Sequence, residues 1–289
     1  MNKALEHISV RFWGVRGSLP SPGPETVRYG GNTPCVSVEG TYRNGKKWTA
    51  MFDAGTGARL LGRELIQNDN DIFFFLTHTH WDHIQGFPFF APIYQEDRKI
   101  YLSHLEQRRG LFNLLLEQMD GRRFPITQDQ IMSLLISMSS EDVQKRSREG
   151  YHVDRLRVNH PGETHGFRLH IRDLKVVYIP DNEIDTPGTP WVTFEKLVDF
   201  CKDADLLIHD AQYLKEDMPA KRGWGHSIAE NVWKLALHAN VKQLALFHHD
   251  PDRTDDELDE MLSRSEQWFR DKGANVVCHV AYEGLELKF

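Results

Sequence analysis

Cysteine is scarce in this sequence. Cys35, Cys201 and Cys278 are the 3 present; they stand far apart in 289 residues and form no C-x-x-C pair. That excludes a disulfide framework and a thiolate metal site, leaving buried free thiols in a reducing compartment as the expectation. Long apolar runs are lacking too. No stretch approaches the roughly 18 to 20 apolar residues of a membrane span, and the opening MNKALEHISVRFWG has no apolar core of signal-peptide length. The expectation is a cytoplasmic protein with no membrane partner. Positive charge is also short, with Lys+Arg 35 against Asp+Glu 42 and a net charge of -7. A nucleic-acid partner would need a local basic patch, so long nucleic acid is not an expected ligand. There is no internal repeat at a fixed period and no low-complexity tract.

What is present alternates. Short β-branched and aromatic runs such as HISVRFWGV, KWTAMFDAG, DIFFFLTH, KVVYIPD, DLLIHDA and QLALFHH read as strands, and helical patterns separate them, which gives an α/β protein. Residues 227–239 place Ile228, Val232, Leu235 and Ala239 on one helical face. Residues 255–272 do the same with Leu258, Met261, Leu262 and Phe269 before Gly273. From about 105 to 148, LFNLLLEQM and QDQIMSLLISM read as a helical insertion packed over a sheet, within a single domain spanning 1–289. The run HDPDRTDDELDE holds 7 acids but lacks the alternation and glycine of a calcium loop, and reads as a helix start.

The stretch THTHWDH, residues 77–83, crowds His78, His80, Asp82 and His83 directly behind the apolar run IFFFL. On an extended segment side chains alternate, so His78 and His80 leave the same side and can grip one ion. A turn at Trp81 then aims Asp82 and His83 at a neighbouring point. Imidazoles suit zinc, iron or manganese, and an oxygen ligand beside them marks a hydrolytic site. Two metals need further ligands, and three strand ends offer them: His160 after HVDRLRVN, Asp181 after KVVYIP, and His248 after QLALF, with His249 as the rival of His248.

Together these motifs resemble the metallo-β-lactamase fold superfamily, whose signature is H-x-H-x-D-H followed by a histidine, an aspartate and a histidine at successive strand ends. The resemblance spans about residues 8 to 285 and implies an αββα sandwich with a binuclear site at one edge. It implies that His78, His80 and His160 bind one divalent ion, that Asp82, His83 and His248 bind the other, and that Asp181 bridges them. Zinc is the expected metal, with manganese or iron as alternatives. Two further segments are similar to the branch containing ribonuclease Z and cyclic nucleotide phosphodiesterases: GWGHS, with His226 just before a helix, and LLIHDAQY, with Asp210 where that branch usually has glutamate. Asp82, His226 and Asp210 are the catalytic residues so implied, with Asp210 orienting His226 and His226 protonating the leaving oxygen of a phosphodiester.

The expected substrate is a small nucleotide, foremost a 3′,5′-cyclic nucleotide hydrolysed to the 5′-monophosphate. The alternatives are a ribonuclease Z-like endonuclease acting on RNA 3′ ends and a thioesterase of the glyoxalase II type; a binding module that lost the chemistry is a fourth. Only 20 residues separate His160 from Asp181, too few for the long arm that transfer-RNA-cutting relatives usually carry there. The resemblance favours a homodimer. Arg108, Arg109, Arg122 and Arg123 are candidates for phosphate or simply solvated charge. Asn32 and Thr33 could serve the site or only their loop.

Overall fold

Runs rich in aromatic and β-branched residues open the chain, and they pair in sequence order. The computed structural model describes residues 5–42, 45–103, 111–138 and 151–289. β1 (Leu5–Gly14), β2 (Cys35–Tyr42) and β3 (Lys47–Phe52) form an antiparallel meander. β4 (Asp71–Phe75), β5 (Lys99–Ser103) and β6 (Leu134–Met138) continue the sheet in parallel register. β4 has a neighbour on each side and is buried from Ile72 onward, so its run DIFFF is continuously apolar rather than alternating. Parallel neighbours need crossovers. α1 (Ala58–Leu65) links β3 to β4, and α2 (Trp81–Ile84) follows β4. α3 (Leu111–Glu117) lies between β5 and β6.

β6 corrects the helical reading of QDQIMSLLISM. Residues Leu134 to Met138 pair one to one with Lys99 to Ser103. So short an apolar run carries too few residues for its period to separate strand from helix, and the open edge of β5 decides the outcome. LFNLLLEQM is helical at Leu111–Glu117. The stretches 105–110 and 139–148 of that interlude lie outside the described residues, and with them Arg108 and Arg109.

The second sheet is built from β7 (Tyr151–Arg157), β8 (His165–Ile171), β9 (Leu174–Ile179), β10 (Leu206–Asp210), β11 (Gln243–Phe247) and β12 (Val277–Val280). Its order is β12-β11-β10-β9-β8-β7, with β9 through β12 all parallel. α4 (Phe194–Cys201), α5 (Ala229–His238) and α6 (Asp255–Asp271) are the crossovers, and their Leu197, Val232, Leu235, Leu258, Met261 and Phe269 share one core with Leu207, Leu244 and Leu246. β13 (Glu286–Lys288) returns to pair with β1. The Cα framework divides into two compact units. The first comprises Met1–Gly14, Asn32–His152 and Glu283–Phe289; the second comprises Val15–Gly31 and Val153–Tyr282. No helix among the described residues is long and apolar enough to cross a membrane.

The acid-rich run is the start of α6. The Thr254 hydroxyl accepts from Glu257 N, and the Glu257 carboxylate accepts from Thr254 N at 2.8 Å, a reciprocal cap that satisfies two otherwise orphaned donors. Asp255 is buried and accepts from the backbone N–H of Arg28 at 2.7 Å and of Tyr29 at 3.2 Å, which ties the 15–31 segment to α6 within the second unit. Thr254→Ala should therefore lower the unfolding free energy by about 1 kcal/mol in a urea titration. An unchanged midpoint would show that the cap contributes nothing.

Candidate metal centre and acid–base pair

In the first unit, the chain leaves β4 extended and stays so through His80 (φ -62, ψ 150) before α2 begins at Trp81. That change of direction sets Asp82 and His83 on the first turn of α2, as the spacing predicts. His78, Asp82 and His83 are buried and His80 is exposed. Asp53, just past the end of β3, holds the group together. Its Oδ2 accepts from His83 Nδ1 at 2.9 Å, and its Oδ1 accepts from Thr77 N at 2.8 Å. The loop after β3 is stitched to α2 by Ala54 N donating to His83 O at 2.7 Å and Gly86 N donating to Ala54 O at 2.9 Å. Only glycine permits this approach: a Cβ at residue 86 would stand 1.8 Å from Gly55 O.

In the second unit, the topology does the gathering. β9, β10 and β11 are adjacent and parallel, so their carboxyl ends share one edge of the sheet, where α/β proteins place ligands. Asp181 follows β9, Asp210 ends β10 and His248 follows β11. Asp181, His226 and His248 each bring one ligand atom within 4.8 Å of the others, and all three are buried. His160 Nε2 lies 3.5 Å from Asp181 Oδ2, and His248 Nε2 lies 3.4 Å from Asp181 Oδ1. His160 sits three residues beyond the end of β7, in the turn rather than on the strand.

His226 and Asp210 form a direct pair, with His226 Nδ1 2.9 Å from Asp210 Oδ2 and both side chains buried. Asp210 is held in turn by backbone donors: Gln212 N at 2.9 Å to Oδ1, and Asn182 N at 3.1 Å to Oδ2. Glu183 braces the loop in front of His226 by accepting from Gly223 N at 2.8 Å and Gly225 N at 3.0 Å. Gly225 needs its glycine twice over. Its φ is +91, and a Cβ there would meet His160 Nδ1 at 2.5 Å.

The donor set fits divalent metals. Two ligand atoms about 2.1 Å from one zinc at the tetrahedral angle stand about 3.4 Å apart. The pairs His160–Asp181 and His248–Asp181 show 3.5 and 3.4 Å, and His83 Nε2 is 3.3 Å from Asp82 Oδ2. His78 Nε2 and His80 Nδ1 are closer, at 2.9 Å, the spacing of an N–H···N hydrogen bond. Nitrogen and oxygen donors without sulfur suit zinc, manganese or iron. The cysteines take no part: all three are buried, and burial pushes the thiols of Cys201 and Cys278 up to about 12.

His249 faces elsewhere. Its Nε2 donates to Ala281 O at 2.7 Å, and burial, reinforced by the charge of Arg16, pushes its pKa down to about 3, so the ring stays neutral. Asn32 and Thr33 serve their loop: Asn32 donates to Glu283, and Thr33 exchanges hydrogen bonds with Thr56. Arg122 and Arg123 are exposed, and their backbone N–H groups cap Asp120. Sequence reasoning missed the outer partners: Asp53, which holds His83, the Gly225 carbonyl, 2.8 Å from His160 Nδ1, and Gln212, whose Oε1 is 2.8 Å from His248 Nδ1.

A model of the β-lactamase superfamily domain matches residues 51–249. A ribonuclease Z of Bacillus cereus (strain AH187) is 22% identical over 314 residues, covering 89% of this chain and 94% of that protein. Among solved structures, the metallo-β-lactamase fold protein YhfI from Bacillus subtilis matches with a TM-score of 0.70 at 15% identity, covering 98% of this chain and 100% of that one. A diphosphatase from the PhnP family matches with a TM-score of 0.62 at 19% identity, covering 98% of each chain. The structural matches carry the fold.

Asp53→Asn tests the anchoring of His83. An amide presents N–H groups to a ring nitrogen that now donates, which favours the wrong tautomer. Zinc affinity in a chelator competition should fall by roughly 10- to 100-fold. Unchanged affinity would detach Asp53 from the centre.

Proposed function

Because the chain belongs to the β-lactamase superfamily, with the metallo-β-lactamase fold and as a metal-dependent hydrolase related to ribonuclease Z, we propose that it hydrolyses a small nucleotide phosphodiester, foremost a 3′,5′-cyclic nucleotide, to the 5′-monophosphate. The observation that carries this reading is the buried His226–Asp210 pair beside Asp181 and His248. A metal site alone suits many hydrolyses, whereas a carboxylate-held histidine next to it supplies a proton donor for a poor alkoxide leaving group.

In this reading His78, His80, His160 and Asp181 hold one divalent ion, and Asp82, His83, His248 and Asp181 hold a second, zinc being the metal we propose. Bound there, such ions supply positive charge for the phosphate oxygens and lower the pKa of water. The chain's own residues do the rest. The Nδ1–H of His226 is donated to Asp210 Oδ2, which fixes Nε2 as the nitrogen that meets substrate. With Nδ1 held by the carboxylate, a proton carried on Nε2 can pass to the departing 3′ oxygen. Backbone N–H groups donated to Asp210 keep it aimed at His226.

A second reading, cleavage at RNA 3′ ends, is supported by the ribonuclease Z relative. Against it, the segment between His160 and Asp181 is filled by the β8–β9 hairpin. That leaves no long arm between these two residues.

For the zinc- or manganese-loaded enzyme, His226→Ala should cut turnover of 3′,5′-cyclic AMP by about 100-fold or more. The loss on bis(p-nitrophenyl) phosphate should be much smaller, since p-nitrophenolate leaves without protonation. Equal losses, or none, would remove the acid role of His226. Cleavage of precursor transfer RNA without turnover of cyclic AMP would favour the second reading.

A further inference from the structure

One aromatic side chain in the metal motif is used neither by the core nor by the proposed chemistry. Trp81 stands in the chain between His80 and Asp82, yet it is 82% exposed and lies outside the apolar core of its unit. It lines an open cavity of about 620 Å³ with Gln85, Phe89, Gln118, Arg123 and Phe124. Phe89 is itself 54% exposed, and Phe124 meets it edge-on with ring centroids 5.1 Å apart. Large aromatic faces left in water at a cavity wall mark a binding surface rather than a packing remnant.

The lining is mixed in a particular way. Gln85 Nε2 donates to Thr33 Oγ1 at 3.3 Å, and Gln118 Nε2 donates to Ile84 O at 3.0 Å and Leu115 O at 2.8 Å. Gln118 thereby spends both of its N–H groups and offers Oε1 to a ligand, while Gln85 offers Oε1 and one N–H. Flat apolar faces together with amide acceptors, the Glu117 carboxylate and the Arg123 cation suit a planar heteroaromatic ring bearing N–H groups. The volume suits one small ligand rather than a polymer.

We propose that this cavity is the base-binding subsite of the substrate, with Trp81 stacking on the nucleobase, an inference that rests on the phosphodiesterase reading above. Consecutive Cα atoms are about 3.8 Å apart. Thr79 and Trp81, the chain neighbours of His80, both line the cavity, so a base held there would have its sugar phosphate within reach of the metal motif, and discrimination between diesters with and without a base originates at Trp81.

The test measures binding rather than turnover. Adenosine 5′-monophosphate, the product of the proposed reaction, and ribose 5-phosphate, which lacks the base, are titrated calorimetrically into the zinc-loaded full chain. The nucleotide should bind about tenfold or more tightly than ribose 5-phosphate. Trp81→Ala should bring the two affinities to within about twofold, Trp81→Phe should retain most of the preference, and Phe89→Ala should reduce it. A wild-type chain that binds the two ligands equally, or an undiminished preference in Trp81→Ala, overturns the subsite while leaving the phosphodiesterase reading in place. If the wild-type chain binds neither ligand and hydrolyses no diester, the subsite falls together with that reading.

Discussion

A buried imidazole has two nitrogens, and the partner of one decides what the other can do. Four histidines in this chain are governed by that constraint. Asp53 holds Nδ1 of His83, the Gly225 carbonyl holds that of His160, Gln212 that of His248, and Asp210 that of His226. In each case the anchor engages Nδ1, so in the proposed reading Nε2 is the nitrogen that meets an ion or a substrate. The anchors explain local choices that otherwise look arbitrary. Asp53 and His248 both take left-handed backbone, φ 56 and φ 60, immediately after β3 and β11. Such conformations cost free energy and persist where surrounding contacts fix them.

The second layer of organisation is the parallel run β9, β10, β11. Each strand is buried along most of its length, and each releases a polar group where the sheet stops: Asp181, Asp210 and His248. Parallel pairing puts these releases at one edge without any dedicated loop, and the backbone N–H groups just beyond the edge bind Asp210. The pair with His226 is thus a product of sheet register plus one loop, and Glu183 fixes that loop through Gly223 and Gly225.

How much of this was legible in the sequence follows from chain separation. His78, His80, Asp82 and His83 fall within seven residues, so extended spacing and one turn suffice to read them. Asp181, Asp210 and His248 could be found as the polar residues closing apolar runs, since parallel strands advertise their ends. Asp53 was not legible as an anchor because it acts on a residue 30 positions away; Gln212 and Gly225 act at 36 and 65. Nothing local distinguishes the aspartate of FDAG from an ordinary turn residue. The strand at Leu134–Met138 was misread for a related reason: it becomes a strand by pairing with Lys99–Ser103, a partner its own period does not announce.

Titrating metal-free protein with zinc while following both bound metal by mass spectrometry and hydrolysis of bis(p-nitrophenyl) phosphate tests most directly whether these anchored imidazoles build a two-ion phosphodiesterase. Activity is predicted to rise until two equivalents per chain are bound and then to level off. Full activity at one equivalent, or activity indifferent to zinc and equally to manganese, would contradict it.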